Sequence, residues 1–158
     1  GQKPFAAIIS CLDSRVPPEI VFDQGIGDIF VGRIAGNYVD TDLLGSLEFG
    51  VAELHIPLLV VLGHEKCGAV IATIDALAHG AQAEGSIQAL VNAIRPAVEQ
   101  AQAQGGALLE GAVHANILLD IAALKKSPVL GEALHKGELK IVGAHYSLAS
   151  GIVEIVAA

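Results

Sequence analysis

Short apolar stretches without polar alternation constrain the fold of this chain more than any other feature. Leu58–Leu62 is apolar at every position, and Phe5–Ile9 is apolar up to Ser10 and Cys11. Such runs are typical of strands that are buried on both faces, as in parallel sheets. Hydrophobic residues make up 53% of the chain and aromatic residues only 4%, so we expect a core built mainly from Val, Ile, Leu and Ala.

Strand-like and helix-like segments alternate along the chain, which predicts an α/β class with a mainly parallel central β-sheet flanked by helices. The last two of the five predicted strands form a C-terminal hairpin; the strands are 5–10, 28–33, 58–62, 139–145 and 152–156. Helices are predicted at about 18–23, 41–54, 67–79, 86–95, 107–125 and 128–136. We expect a break at Pro96, a joint around 100–107, and a single domain over residues 1–158.

Charge and hydropathy argue against two classes of function. The formal net charge is −8, and no basic stripe is present to neutralise phosphates, which argues against nucleic-acid binding. No apolar run approaches the roughly 20 residues that span a bilayer. The chain starts at Gly1 and a predicted strand follows almost at once. We therefore expect that an amino-terminal piece is missing from this sequence and that it could hold a targeting segment. We expect the protein to be cytoplasmic.

Two cysteines, Cys11 and Cys67, are the next constraint. A disulfide in a secreted protein is one interpretation, but the Asp, Arg and His residues nearby favour metal ligands in a reducing compartment. Cys11 and His64 each follow an apolar strand, and ligands of open parallel sheets bind beyond the carboxyl ends of the strands. Cys67 follows His64 by three residues, about one helical turn, so both side chains can face the same point.

The types of these side chains indicate which metal they bind. Two thiolates and an imidazole suit Zn²⁺, and three protein ligands leave one tetrahedral position free, as in catalytic zinc sites. We predict one Zn²⁺ per chain, held by Cys11, His64 and Cys67. Each residue taken alone has a structural interpretation, as a small buried hydrophobe or a loop histidine. Their joint occurrence at strand ends favours the metal site.

Asp13 and Arg15 follow Cys11 in a Cys-x-Asp-x-Arg pattern. An extended exit from the strand would point all three side chains the same way. We expect Arg15 to hold Asp13 ionised through two parallel hydrogen bonds. Such a carboxylate can accept a hydrogen bond from water at the metal, or swing in and occupy the fourth position itself. Taken alone, the pair can also be a structural ion pair.

These residues stand in stretches that resemble the β-class carbonic anhydrases, and the resemblance covers most of the chain. The matching stretches are Ser10–Glu19, Gly27–Val31, Ala35–Asn37, Ser46–Glu48, Val61–Val70 and Val142–Gly151. The resemblance implies that the zinc ligands are Cys11, His64 and Cys67. It also implies that Asp13 and Arg15 form the catalytic dyad.

The resemblance is to the plant-like, open-site subgroup and implies a substrate pocket. The substrate-binding positions are Gln2, Phe30, Ala35, Phe49 and Gly68. Members of the family form the site at a homodimer interface, to which the neighbouring chain contributes the glutamine and aromatic groups. Bicarbonate-regulated members carry Trp where this chain has Ile8, which favours an open, unregulated site. Phe49 stands where many relatives carry Tyr, and we expect the family's amino-terminal helices to be missing from this chain.

The expected function is zinc-dependent reversible hydration of CO2 to bicarbonate and a proton, in a homodimer or larger homo-oligomer. Two alternatives stay open. One is hydrolysis of COS or CS2 on the same scaffold, because a fold does not fix the reaction. The other is a non-catalytic zinc domain. This alternative is suggested by Phe49, which replaces the common Tyr, and by the expected loss of the amino-terminal helices.

Overall fold

A computed structural model describes residues 1–158 and contains one five-stranded sheet in the order β2-β1-β3-β4-β5. All neighbouring strands are parallel except β4 and β5, which are antiparallel. The fold class is therefore confirmed, with the C-terminal strand added as a hairpin. The strands are β1 (Ala6–Ser10), β2 (Ile29–Arg33), β3 (Leu58–His64), β4 (Lys140–Tyr146) and β5 (Val153–Ala157).

The strand order places a topological switch point beside β1. The chain leaves β1 to form β2 on one side, and then crosses to form β3 on the other side. Ser10, the last residue of β1, is paired with Arg33 of β2 and with Leu62 of β3. The carboxyl ends of these three strands therefore meet at one edge of the sheet, where open α/β sheets bind their ligands.

Six helices connect the strands, and five of them cover one face of the sheet. These five helices share a core of 22 buried residues with the sheet, which contributes Ala7, Ile9 and Val61 among others. The opposite face has a smaller cluster of six buried residues, beneath the short α1 and the adjoining loops. The helices are α1 (Pro18–Val21), α2 (Thr41–Leu54), α3 (Gly68–His79), α4 (Ile87–Gln104), α5 (Leu108–Leu124) and α6 (Pro128–His135).

The predicted break at Pro96 is wrong, because α4 runs through this residue to Gln104. An internal proline removes one backbone hydrogen bond and opposes the helix by about 3 kcal/mol. The side of α4 that packs on the core offsets this cost, since it buries Val91, Ile94, Ala97, Val98 and Ala101. The predicted joint at 100–107 shrinks to a short turn around Gly105 and Gly106, both with positive φ.

Other predicted boundaries agree with the structure to within a few residues. The strand predicted at 58–62 continues to His64, so this histidine is the last residue of β3. Helix α2 begins after Asp40, whose carboxylate accepts a hydrogen bond from the backbone N–H of Leu43 at 2.8 Å, as an N-cap should. None of the helices combines the length and apolar character needed to cross a membrane.

Two strands approach α5 closely because they carry glycine at the contact. A Cβ atom added at Gly63 of β3 would lie 2.6 Å from Cδ1 and 2.8 Å from Cγ1 of Ile117. A Cβ atom added at Gly143 of β4 would lie 2.7 Å from Cγ2 of the same isoleucine. These separations are shorter than carbon atoms tolerate, so glycine at these positions sets how closely the helix lies on the sheet.

We predict that Gly63→Ala lowers the free energy of unfolding by about 1–3 kcal/mol, because the new methyl group overpacks the contact with Ile117. Adding Ile117→Val removes Cδ1, so the double variant should lose less than the sum of the two single losses. Urea unfolding of all four proteins measures the coupling. Gly131→Ala on α6 is the control, since its new methyl group meets only an ordinary contact. This substitution should not destabilise the protein, because alanine is favoured over glycine inside a helix. Strict additivity at 63 and 117 would contradict the packing argument.

Candidate metal centre

Three buried side chains converge at the switch point. Cys11 follows the end of β1, His64 ends β3, and Cys67 precedes α3. Their ligand atoms all lie within 4.8 Å of one another, and all three residues are buried. The two sulfur atoms are 3.9 Å apart, too far for a disulfide, and both cysteines are free. The grouping expected from the sequence is present, and the disulfide interpretation is wrong for this structure.

His64 and Cys67 converge by a different route from the one predicted. A helical turn does not connect them, because His64 is extended in β3 and Cys67 is the extended N-cap residue of α3. Lys66 between them has φ 54°, in the left-handed region that non-glycine residues seldom occupy. This tight turn reverses the chain, so that the imidazole and the thiol face the same point.

The hydrogen bonding of His64 leaves one ring nitrogen free for a metal. Its Nδ1 lies 2.8 Å from the carbonyl oxygen of Glu65, to which a protonated Nδ1 donates. Its Nε2 is fully buried and has no hydrogen-bond partner. A carbonyl that fixes the tautomer in this way is the usual outer partner of a metal-bound histidine.

These residues fit a zinc ion. Two sulfur atoms bound to zinc at ~2.3 Å in a tetrahedron lie roughly 3.8 Å apart, close to the 3.9 Å found between Cys11 and Cys67. The buried Nε2 of His64, which has no other partner, could supply a third ligand. No carboxylate joins the group, so the group would offer a metal three ligands and not a closed set of four.

Electrostatics at the site favour a cation. The thiol of Cys67 donates to Cys11 and holds the pKa of Cys11 well below its usual value. In turn, the hydrogen bond to Cys11 and burial raise the pKa of the Cys67 thiol. Burial lowers the pKa of His64, but contacts with the Cys11 thiolate outweigh it and the net direction is upward. The metal-free pair therefore keeps one proton, which a divalent ion displaces because it deprotonates coordinating thiols.

Asp13 and Arg15 form the expected pair, but through a turn and not through an extended exit. The backbone N–H and Nε of Arg15 donate to Oδ1 of Asp13 at 3.0 and 2.9 Å, and Nη2 donates to Oδ2 at 2.7 Å. The backbone hydrogen bond defines an Asx turn. These hydrogen bonds from Arg15 hold the pKa of Asp13 well below its usual range.

The Asp13 carboxylate lies beside the metal ligands without being one of them. Its Oδ2 is 3.9 Å from Nε2 of His64, and the guanidinium of Arg15 donates a hydrogen bond to each of the two carboxylate oxygens. The structure therefore brings together five of the predicted site residues: Cys11, Asp13, Arg15, His64 and Cys67.

Sequence reasoning missed two residues that hold this arrangement. Arg33, the last residue of β2, donates from Nε to the carbonyl oxygen of Cys11 at 2.9 Å and from Nη2 to that of Asp13 at 2.7 Å. The backbone N–H of Gly36 donates to the sulfur of Cys11 at 3.3 Å. The available signal for Arg33 was its position at the carboxyl end of a third strand, beside the first.

The predicted pocket residues fall into two groups. Gly68 follows Cys67 directly, and a Cβ added there would meet nothing within 4 Å. Ala35 precedes Gly36, whose backbone N–H donates to the sulfur of Cys11. Phe30 lies opposite Ala7, four residues before Cys11, or ~13 Å along the strand. Gln2 precedes β1 altogether, and Phe49 is exposed on α2. Within one chain, these last three residues do not join the metal ligands.

Comparison with known proteins identifies the family. The family model described as carbonic anhydrase matches residues 6–153. The chain is 41% identical over 152 residues to carbonic anhydrase 2 of Mycobacterium tuberculosis, covering 96% of this chain and 73% of the relative. It is 40% identical over 156 residues to the carbonic anhydrase of Mycolicibacterium smegmatis, covering 98% and 76%.

Solved structures of β-carbonic anhydrases have the same fold as this chain. The β-carbonic anhydrase of Coccomyxa, in complex with acetazolamide, superposes with a TM-score of 0.86 at 27% identity, over 99% of this chain and 73% of that one. A tetrameric β-carbonic anhydrase of Sordaria macrospora has a TM-score of 0.89 at 23% identity, over 100% and 83%, which supports the fold. The chain therefore belongs to the β-carbonic anhydrase family.

Proposed function

We propose that this chain catalyses the reversible hydration of CO2 to bicarbonate and a proton at a zinc ion held by Cys11, His64 and Cys67. The observation that carries the proposal is the buried group of two sulfurs and one unpartnered imidazole nitrogen, with an ionised carboxylate beside it. Bound there, zinc supplies the Lewis acidity that turns a water molecule into a nucleophile near neutral pH. A structural site has no need of the Asp13–Arg15 pair.

Asp13 orients the nucleophile. An ionised carboxylate only accepts hydrogen bonds, and the depressed pKa of Asp13 keeps it ionised throughout the neutral range. A hydroxyl group beside Oδ2 must therefore direct its hydrogen toward Asp13 and leave a lone pair free for CO2. Arg15 fixes both carboxylate oxygens, which restrains Asp13 from turning toward the metal ligands.

Two small residues, Gly68 next to Cys67 and Ala35 next to Gly36, provide room for an uncharged substrate. Gly68 leaves open space next to Cys67, and Ala35 carries only a methyl group. Ile8 is buried in β1 at the position where regulated members of the family carry Trp, so we extend the proposal to the open-site form. The free state of both buried cysteines supports a reducing location such as the cytoplasm.

A second chain completes the pocket in this proposal. Gln2, Phe30 and Phe49 lie away from the metal ligands of their own chain, and the side chain of Phe49 is 52% exposed. Exposed aromatic residues are favoured at subunit interfaces. We therefore propose a homodimer or larger homo-oligomer in which Gln2 donates a hydrogen bond to substrate in the neighbouring site, with Phe30 and Phe49 lining it.

We predict that the protein as purified binds one zinc ion per chain and hydrates CO2, and that Cys67→Ala removes both properties, because two ligands bind zinc far more weakly than three. Stopped-flow CO2 hydration with zinc content measured on the same sample tests this. His79→Ala is the matched control, since His79 lies exposed at the end of α3. Full activity in metal-free protein would contradict the proposal.

We predict that Arg15→Gln raises the pKa of Asp13 toward ~3.9, because the guanidinium no longer stabilises the ionised form. Carbon-13 NMR titration of the Asp13 carboxyl group in the zinc-loaded protein measures this shift. We also expect kcat/KM to fall by about 100-fold, as the carboxylate loses its orientation. Lys136→Gln, which breaks the ion pair with Glu132 on α6, should change neither quantity.

The same change has a defined effect on acid stability. The pKa of Asp13 is lower in the folded state than in the unfolded state. Its contribution to stability is therefore fully present above ~3.9 and is lost as the pH falls toward the folded value. The difference in unfolding free energy between wild type and Arg15→Gln should be constant near neutral pH and shrink below about pH 4. A difference that grows in acid would rule out this role for the pair.

We predict that Gln2 acts in trans. Subunit exchange between Gln2→Ala protein and Cys67→Ala protein should restore about a quarter of wild-type activity, because half the dimers are hybrids with one complete site each. Stopped-flow assay before and after exchange tests this. Exchange between Asp13→Asn and Cys67→Ala proteins is the control, since no hybrid site then has both Asp13 and Cys67. Unchanged activity in the first mixture would contradict a shared site.

A further inference from the structure

The turn at residues 35–37 presents a backbone donor to one metal ligand. Gly36 and Asn37 both have positive φ, 81° and 44°, and the N–H of Gly36 donates to the sulfur of Cys11 at 3.3 Å. The turn is tightly packed, since a Cβ atom at Gly36 would collide with Cδ1 of Ile94 on α4. The position of this N–H therefore depends on whatever holds the turn in place.

Two buried polar residues of α5 hold the turn from behind. Asn116 donates from Nδ2 to the carbonyl oxygen of Gly36 at 2.8 Å. Asp120, one helical turn further along, accepts from the backbone N–H of Val39 at 3.3 Å. It also accepts from Nδ2 of Asn37 and of Asn116, each at 3.4 Å. One carboxylate thus connects the turn and the segment that follows it to the helix.

Burying this polar cluster opposes folding. Asp120 is 6% exposed and Asn116 is 3% exposed, and Asp120 takes part in no ion pair. Burial raises the pKa of Asp120 well above its usual range, as expected for a carboxyl group without a cationic partner. An apolar side chain at this position of α5 would join the surrounding core without that penalty. The polar residues therefore require an explanation in terms of what they position.

We propose that Asn116 and Asp120 are positioning residues of the metal centre, which fix the 35–37 turn so that the Gly36 N–H donates to the Cys11 sulfur. A hydrogen bond to a coordinating thiolate withdraws charge from the sulfur and restricts its orientation. Outer residues of this kind tune affinity and reactivity at metal sites. The inference rests on metal binding in the proposed function, but it does not depend on CO2 being the substrate.

The test uses Asn116→Leu and Asp120→Leu, each close in size to the residue replaced, and compares two readouts in folded protein. The first is zinc affinity, measured by competition with a chelator. The second is the NMR scalar coupling between cadmium-113, substituted for zinc, and the amide proton of Gly36, which exists only while the N–H···S hydrogen bond is present. We expect both variants to lose 10–100-fold in zinc affinity and to lose the coupling.

Leu124→Ala is the matched control, since Leu124 is fully buried on the same helix, one turn beyond Asp120. Leu124→Ala should lower the melting temperature, because it leaves a cavity. It should keep zinc affinity within about two-fold of wild type and preserve the coupling, because Leu124 makes none of the hydrogen bonds that hold the 35–37 turn. A similar loss of affinity in Leu124→Ala would overturn the proposal in favour of general destabilisation.

Asp120→Asn keeps the inference testable if the leucine variants fail to fold. It preserves size, but it replaces one acceptor oxygen with a donor, so it cannot accept all three hydrogen bonds from Asn37, Val39 and Asn116. We expect a several-fold loss of zinc affinity and a reduced coupling. Wild-type affinity and coupling in any folded variant at 116 or 120 would overturn the proposal. If the wild-type protein binds metal and shows the coupling but does not hydrate CO2, the proposed function alone is refuted.

Discussion

The parallel register between β1 and β3 is the constraint on which the site depends. It aligns the carboxyl ends of two strands that are far apart in sequence, so Cys11 and His64 emerge side by side at the point where the strand order reverses. A shift of one residue in this pairing would reverse the faces toward which one set of side chains points. The buried apolar residues of both strands prevent such a shift, because each strand packs against cores on both faces. The packing of the sheet and the geometry of the metal ligands are therefore set by the same interactions.

Much of this arrangement could be predicted from the sequence, because it depends on signals within single segments. The wholly apolar runs identified the central strands, and the residues that ended them identified the ligands. The route by which the ligands meet was not predictable in the same way. The left-handed Lys66 and the Asx turn at Asp13 replace the helical turn and the extended exit that spacing alone suggests. Both alternatives give the same residue spacing, and only packing around the turn selects between them.

The errors have a common physical origin in long-range contacts. Pro96 carries a strong local signal for a helix end, but the buried side of α4 supplies more stabilisation than the proline removes. Arg33 and Gly36 act on residues more than 20 positions earlier, and Asn116 acts on a turn 80 positions earlier. No local pattern encodes such contacts. They follow from the order of strands and helices, which becomes known only when the fold is known.

The polar groups at this edge of the sheet explain why metal binding and folding should be coupled. Without a cation, the folded chain buries an imidazole nitrogen with no partner and two thiols that compete for one proton. Each of these groups would be hydrated in the unfolded chain, so burying them opposes folding. A divalent ion would satisfy all three at once, and the free energy of its binding would add to that of folding. The core around the site supplies the stability that keeps the ligands in place before the ion arrives, and Arg15, Arg33 and the 35–37 turn hold the geometry that the ion then requires.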